Sequence, residues 1–374
     1  MKRVAILGST GSIGRQTLDV VRSFPSEFRV VALAAGQNLG LLADQVREFR
    51  PRMVCCAGGP RAAGFLRLSD GTSYATIQEM ATHPDVDLVM MATTGKVGLV
   101  PTLEALKAGK EVALANKEVI IMAGRIVMDH AARYNGVLLP VDSEPSAIWQ
   151  CLRGESPAVR RILLTASGGA FRKRPLGELD NVTPEEALNH PTWVMGKKIT
   201  VDSATLMNKA FEVIEISWLF DLPLERIETV IHPQSIVHSM VEFEDGSVKA
   251  QLSPPDMRLP IQYAMLYPRR IANAALSRLD TSLPTLLEFE PLDTTRYPAF
   301  SLALEVARRG GTYPAVLSAA DEVAVELFLA GRIRFTDIHK VVARTVERHS
   351  PIASPTLEEI LDADEWARRE TYAL

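Results

Sequence analysis

Cysteine is scarce in this chain: Cys55, Cys56 and Cys151 are the only three in 374 residues. So few, in odd number, exclude a disulfide framework, and their spacing matches no zinc motif. Long apolar runs are missing as well. No stretch is hydrophobic for the roughly 20 residues that a membrane-spanning helix needs. Nor is there a basic excess, since 41 Lys and Arg stand against 45 Asp and Glu for a formal net charge of -4. That balance argues against nucleic acid as a partner. The first residues lack the apolar segment and small-residue cleavage site of a signal peptide, so a reducing, cytoplasmic setting is expected. Repeats and low-complexity tracts are also absent.

What is present is alternation. Over the first 140 or so residues, short apolar runs at 3–7, 29–34, 53–56, 87–92, 111–115 and 136–141 are separated by amphipathic stretches at 13–23, 38–49 and 99–108. Strands buried on both faces and alternating with helices predict an α/β fold with a doubly wound, parallel, Rossmann-like sheet. The pattern then changes. Runs at 236–243 and 247–252 joined by Asp245-Gly246 predict an antiparallel hairpin, hence a separate α+β unit. Residues 275–300 lack periodicity, and helical patterns at 301–309, 315–330, 336–348 and 357–368 predict a C-terminal helical bundle. The expected domains are 1–142, 143–280 and 301–374, with a linker at 281–300.

The first apolar run leads into Gly8-Ser9-Thr10-Gly11-Ser12-Ile13-Gly14 and then a helix. Small residues there let a backbone approach a pyrophosphate at a helix N-terminus. A structural tight turn is the other reading. The second strand ends Ala35-Gly36-Gln37-Asn38, without the carboxylate that holds the ribose hydroxyl of NAD, and this favours NADPH. Asn38 can equally be a plain N-cap.

The sixth run ends in Asp142-Ser143-Glu144. Read as extended chain, the two acids face one side and converge on an oxygen-only site for Mg²⁺ or Mn²⁺; a solvated loop is the alternative. Further on, Asn208, Glu212 and Glu215 share one side of a predicted helix, which is either a site or the wet face of an amphipathic helix. Thr165-Ala166-Ser167-Gly168-Gly169 follows a strand and has the composition of an anion-binding nest. Trp193 reads on its own as a core aromatic.

Taken together, the runs GSTGSIG (8–14), LANKE (114–118), PVDSE (140–144), SGG (167–169), HPTWVMGKKITVDSATLMNKAFEVIE (190–215), HPQSIVHSMVEFEDGSVKAQL (232–252) and PAVLSAADEVAVELFLAGRIRFTDI (314–338) resemble the 1-deoxy-D-xylulose 5-phosphate reductoisomerase family, in the family's order over nearly the whole chain. The resemblance implies Asp142, Glu144 and Glu212 as ligands of one Mg²⁺, Mn²⁺ or Co²⁺, with Lys117, Glu144 and Glu212 at the chemistry. It implies that Lys117 and Ser143 touch the substrate and that Ser167, Ser203, Asn208 and Lys209 hold its phosphate, with His190 nearby. Thr10, Gly11, Ser12, Ile13, Gly36, Gln37, Asn38, Asn116, Glu118 and Gly196 match NADPH contacts, and 187–198 matches a flap that closes Trp193 over the substrate. A homodimer is expected on the same ground.

Three positions depart from the family pattern. Pro145 stands where His is usual, Gln37 where Lys is usual, and Lys96 where a small residue is typical. Lys96 or Arg15 is expected to supply the cation lost at position 37. Two other functions compete: an NADP-dependent semialdehyde dehydrogenase with Cys151 as nucleophile, and a nucleotide-sensing regulator without catalysis.

Overall fold

The apolar runs of the first third pair as their alternation predicts. In the computed structural model, which describes residues 1–64, 71–155, 158–280, 282 and 286–374, they form a seven-stranded sheet. Its strands are β1 (Lys2–Leu7), β2 (Phe28–Ala35), β3 (Met53–Cys56), β4 (Ser73–Tyr74), β5 (Leu88–Met91), β6 (Glu111–Leu114) and β7 (Val137–Pro140). Their order is β4-β3-β2-β1-β5-β6-β7, with every pair parallel. The order reverses between β1 and β5, which leaves a crevice at the carboxyl ends of those two strands. β5 is buried along its whole length, as a strand covered on both faces must be.

The helices of this region are α1 (Ser12–Ser23), α2 (Leu39–Phe49), α3 (Gly59–Ala63), α4 (Ile77–Thr82), α5 (Leu99–Lys107), α6 (Lys117–Arg133) and α7 (Ser143–Leu152). Helix α7 corrects one expectation. Residues 142–144 are not extended chain, because the helix starts at Ser143 directly behind β7.

Further along come α8 (Pro184–Ala187), α9 (Lys197–Thr205), α10 (Met207–Leu219) and α11 (Arg258–Leu266). A second, mixed sheet runs β11-β10-β8-β9-β12, from β8 (Val159–Ala166), β9 (Ile227–Ile231), β10 (Val237–Phe243), β11 (Val248–Leu252) and β12 (Glu290–Pro291). The predicted hairpin is the antiparallel β10–β11 pair. Gly246 has φ +85°, which suits the turn. Helices α12 (Pro298–Arg309), α13 (Tyr313–Leu329), α14 (Ile338–Arg348) and α15 (Leu357–Ala373) complete the chain. Within the expected linker, residues 281 and 283–285 lie outside the described residues. Of the remainder, β12 pairs with β9 and α12 already begins at Pro298.

Two compact units result: Met1–Val119 with Arg125–Ser146 and Asp256–Ser277, and Ile120–Gly124 with Ala147–Pro255 and Arg278–Leu374. In the second unit one hydrophobic core joins sheet and helices, since Ile162 of β8, Phe211 of α10, Phe328 of α13 and Val342 of α14 belong to it. Among the described residues no helix is long and apolar enough to cross a membrane.

Candidate active site

In the first unit, the glycine loop between β1 and α1 is shaped by contacts that leave no room for side chains. Gly8 has φ +99°, and a Cβ there would lie 2.2 Å from the carbonyl oxygen of Ala92, past the end of β5. A Cβ on Gly14 would lie 2.2 Å from the Gly8 oxygen. Gly11 differs: its φ is -73°, and its nearest such contact is 3.3 Å away. The fold therefore dictates glycine at 8 and 14, whereas at 11 a Cβ would ask a shift of only a few tenths of an ångström. Thr10, Ser12 and Ile13 are partly exposed around it, at the start of α1.

The loop is tied down from an unexpected direction. Ser9 is fully buried; its hydroxyl donates to Gln45 Oε1 (2.7 Å), and Gln45 Nε2 donates back to the Ser9 carbonyl (2.9 Å). Gln45 sits on α2, 36 residues away, so no local pattern could have announced the pair. Gly36, Gln37 and Asn38 lie exposed beyond β2. Asn38 caps α2, accepting from Leu41 N at 3.2 Å, so the N-cap reading holds. Arg15 is exposed on α1, and Lys96 is partly buried in the turn before α5.

Asn116 precedes α6 and is 1% exposed. Its Nδ2 donates to Thr93 Oγ1 and the Gly95 carbonyl, while its buried Oδ1 has no hydrogen-bond partner among the described residues. A nucleotide donor would satisfy that acceptor, and the side-chain-free glycine turn at the start of α1 has room for a pyrophosphate; these features fit a dinucleotide. Glu118 follows, partly buried, in the first turn of α6.

The Asp142–Glu144 segment belongs to the same unit. Asp142 precedes α7, accepts from Ser143 N at 3.0 Å and faces the ammonium of Lys117 at 2.5 Å, with both side chains nearly buried. The Ser143 hydroxyl donates to Glu144 Oε2. Two carboxylates held at a helix N-terminus next to one lysine form an all-oxygen donor set that fits a hard divalent cation.

In the second unit, α10 presents a polar side that is not wet. Lys209, Glu212 and Glu215 are buried, the last two at 1% exposure, and Asn208 is partly buried. Asn208 Nδ2 donates to Glu212 Oε1 and Lys209 Nζ to Glu212 Oε2. Burying charge is expensive unless it is paired, so this side of the helix is not the wet face that the amphipathic alternative requires.

Ser167, Gly168 and Gly169 follow β8, with φ +85° and +72° at the two glycines. A Cβ on Gly169 would lie 2.4 Å from the Ser203 carbonyl, so only glycine lets this loop press against α9. There Ser167 and Ser203 both meet the His190 ring, at 3.0 and 3.1 Å. Burial, and then the charge of Lys209, lower the His190 pKa to about 4. Trp193 is partly exposed rather than in the core, its ring tilted 6.0 Å from that of His238. Gly196, the N-cap of α9, lies in this unit, away in sequence from the other residues matched to NADPH.

The comparisons with known proteins bear on all of this. Models of 1-deoxy-D-xylulose 5-phosphate reductoisomerase and of its C-terminal domains match residues 4–124, 138–220 and 252–370. The reductoisomerase of Pelotomaculum thermopropionicum is 52% identical over 98% of this chain and 97% of its own length. The chain belongs to the 1-deoxy-D-xylulose 5-phosphate reductoisomerase family. The Thermomicrobium roseum member is 53% identical over 98% of this chain and 95% of its own. The Zymomonas mobilis reductoisomerase, solved in complex with NADPH, superposes with a TM-score of 0.91 at 40% identity, covering 100% of this chain and 98% of that one. A reductoisomerase solved with NADPH, fosmidomycin and magnesium gives 0.92 at 38% identity with the same coverage.

The reductoisomerase assignment makes the chain an NADP-dependent oxidoreductase by family. It displaces the semialdehyde dehydrogenase reading, which the Cys151 environment also disfavours: burial pushes that thiol up, away from the reactive thiolate.

Proposed function

We propose that this chain converts 1-deoxy-D-xylulose 5-phosphate to 2-C-methyl-D-erythritol 4-phosphate, using NADPH and a divalent cation, and so feeds isoprenoid precursor synthesis. The observation that carries the reading is the buried cluster of Asn208, Lys209 and Glu212 on α10, with the Ser167–His190–Ser203 group in the same unit. Relatives about half identical over almost the full length are reductoisomerases, and one solved member holds NADPH, magnesium and fosmidomycin together.

In this reading Asp142, Glu144 and Glu212 hold Mg²⁺, Mn²⁺ or Co²⁺, and residues 10–13, 36–38, Asn116, Glu118 and Gly196 hold NADPH. When bound, the cation would supply Lewis acidity to a substrate carbonyl and the nucleotide would supply hydride. The residues of the chain bind and orient. Lys209 sets a positive charge for the phosphate, while the Ser167 and Ser203 hydroxyls and the Asn208 amide give it direction. Lys117 and Ser143 position the carbon backbone. The flap at 187–198 closes Trp193 over the sugar and excludes water from the aldehyde formed by rearrangement. Residues 1–142 act as the nucleotide-binding domain, 143–280 as the catalytic domain, and 301–374 as its helical support.

We further propose a cytoplasmic homodimer; the edge strand β11 exposes Val248 and Leu252 and offers unpaired backbone for pairing. Sedimentation at micromolar concentration tests it. The activity is tested by NADPH consumption with the deoxyxylulose phosphate, with and without EDTA. Turnover that EDTA abolishes and Mg²⁺ or Mn²⁺ restores is expected. NADPH binding without turnover would return the chain to the regulator reading.

A further inference from the structure

The flap contains a histidine whose two ring nitrogens face different partners. His190 Nδ1 receives the backbone N–H of Thr192 at 3.1 Å and of Trp193 at 2.9 Å. An imidazole nitrogen that accepts from N–H groups carries no proton of its own, so in the neutral ring the proton sits on Nε2. Nε2 is the nitrogen that meets Ser167 Oγ and Ser203 Oγ. Ser167 also accepts from Gly169 N at 3.2 Å, which fixes its hydroxyl oxygen against the nest. Thr192, next along the flap, reaches the Ser235 hydroxyl at 3.4 Å. One ring thus spans the segment that must move and the loops that must bind.

We infer that His190 is a positioning residue that fastens the flap to the phosphate cradle as a neutral Nε2–H imidazole, Nδ1 holding the Thr192–Trp193 backbone and Nε2–H holding the two serines. The inference deepens the proposed function and rests on reading Ser167 and Ser203 as phosphate ligands. Surroundings agree with the tautomer. Burial and the nearby Lys209 ammonium both oppose a charged ring. A proton on Nδ1 would set donor against two donors and release the backbone of Trp193. His190 therefore contributes direction and not charge: phosphate is neutralised by Lys209, while His190 makes the cradle and the lid arrive together.

The two ends separate by substitution. In His190→Asn the amide oxygen takes the place of Nδ1 and nothing replaces Nε2; in His190→Gln the amide nitrogen takes the place of Nε2 and Nδ1 is lost. The first test needs no activity. In unliganded protein with ¹⁵N-labelled histidine rings, the resonances that vanish in both variants belong to His190. At neutral pH they should show a pyridine-type Nδ1 and a pyrrole-type Nε2; the reverse pattern, or an imidazolium, overturns the inference whatever reaction the chain performs.

The second test uses fluorotryptophan, with Trp193 assigned by Trp193→Phe, alongside steady-state kinetics. His190→Asn should leave the Trp193 signal in place and raise KM for the phosphorylated substrate about tenfold, the worth of one hydrogen bond. His190→Gln should shift the Trp193 signal and lower kcat about tenfold with KM much less affected. Equal losses in both variants on both readouts would reduce His190 to a structural residue and sink the proposal. If even the wild-type chain does not turn over the sugar phosphate, the proposed function fails, while the tautomer result still decides the latch.

Discussion

Glu212→Gln keeps the shape of a buried side chain and removes its charge. Asn208 Nδ2 and Lys209 Nζ both donate to the carboxylate, one to each oxygen. An amide has a single oxygen, so one of these donors must then face an NH₂. An unsatisfied buried donor costs about 1–3 kcal/mol. The lost charge matters more. At an effective dielectric constant of about 20, two unit charges about 4 Å apart attract by about 4 kcal/mol, and a divalent cation doubles that. Hydration that replaces the missing ligand returns roughly half. The variant should therefore bind metal about 3–4 kcal/mol more weakly, or about 10²- to 10³-fold in Kd. Titration with Mn²⁺, counting the free ion by its paramagnetic resonance, measures this directly. NADPH affinity, followed by nucleotide fluorescence, should change by less than about twofold. If Glu212→Gln holds Mn²⁺ within about threefold of wild type while Asp142→Asn loses it, Glu212 is no ligand and the proposed site comes apart.

Other outcomes follow from the same geometry. Gly11→Ala should leave thermal stability within about 0.5 kcal/mol and weaken NADPH at least tenfold, whereas Gly8→Ala should damage the fold itself, since it combines φ +99° with a 2.2 Å approach to the Ala92 oxygen; urea midpoints and nucleotide fluorescence tell the two apart. His190 has a folded pKa of about 4 against an ordinary 6.5, so the unfolded chain takes up its proton first. Its contribution to stability is thus whole above pH 6.5 and lost as pH falls from 6.5 towards 4. Allowing for partial exposure, the loss is about 1–2 kcal/mol, visible as a slope in denaturation midpoint that His190→Gln lacks. Cys151→Ser should keep activity within about twofold, because the thiol is buried and pushed up. Lys96→Ala or Arg15→Ala should raise the NADPH KM about tenfold if either replaces the cation missing at Gln37; an unchanged KM in both would place the charge elsewhere.

Much of the fold was legible because its signals are local. Six apolar runs foretold β1, β2, β3, β5, β6 and β7, and Asp245-Gly246 foretold the β10–β11 turn. The misses have physical reasons. At 142–144 the preceding strand invited an extended reading, yet an acid followed by Ser143, Glu144 and Pro145 is also how helices begin, with acids and proline in the first turn; α7 obeys the second rule. Strand β12 has only two residues, one of them Pro291, which a sheet tolerates at its edge. The Ser9–Gln45 exchange joins residues 36 apart, and nothing in a linear pattern distinguishes that glutamine from a solvated one.

The polar side of α10 shows where sequence reasoning runs out and what takes over. Periodicity places Asn208, Glu212 and Glu215 together but is blind to whether water or protein covers them, because either gives the same spacing. Burial breaks the tie. Lys209, Glu212 and Glu215 lie at 5%, 1% and 1% exposure, where a charge is tolerated only with a partner close by. A helix that merely needed to pack would bury its apolar side and leave the acids outside. From Lys209 to Ile216 this one is buried at every position, Phe211 and Ile214 included, and burying its charges forgoes stability, a local contradiction of the kind that functional sites keep.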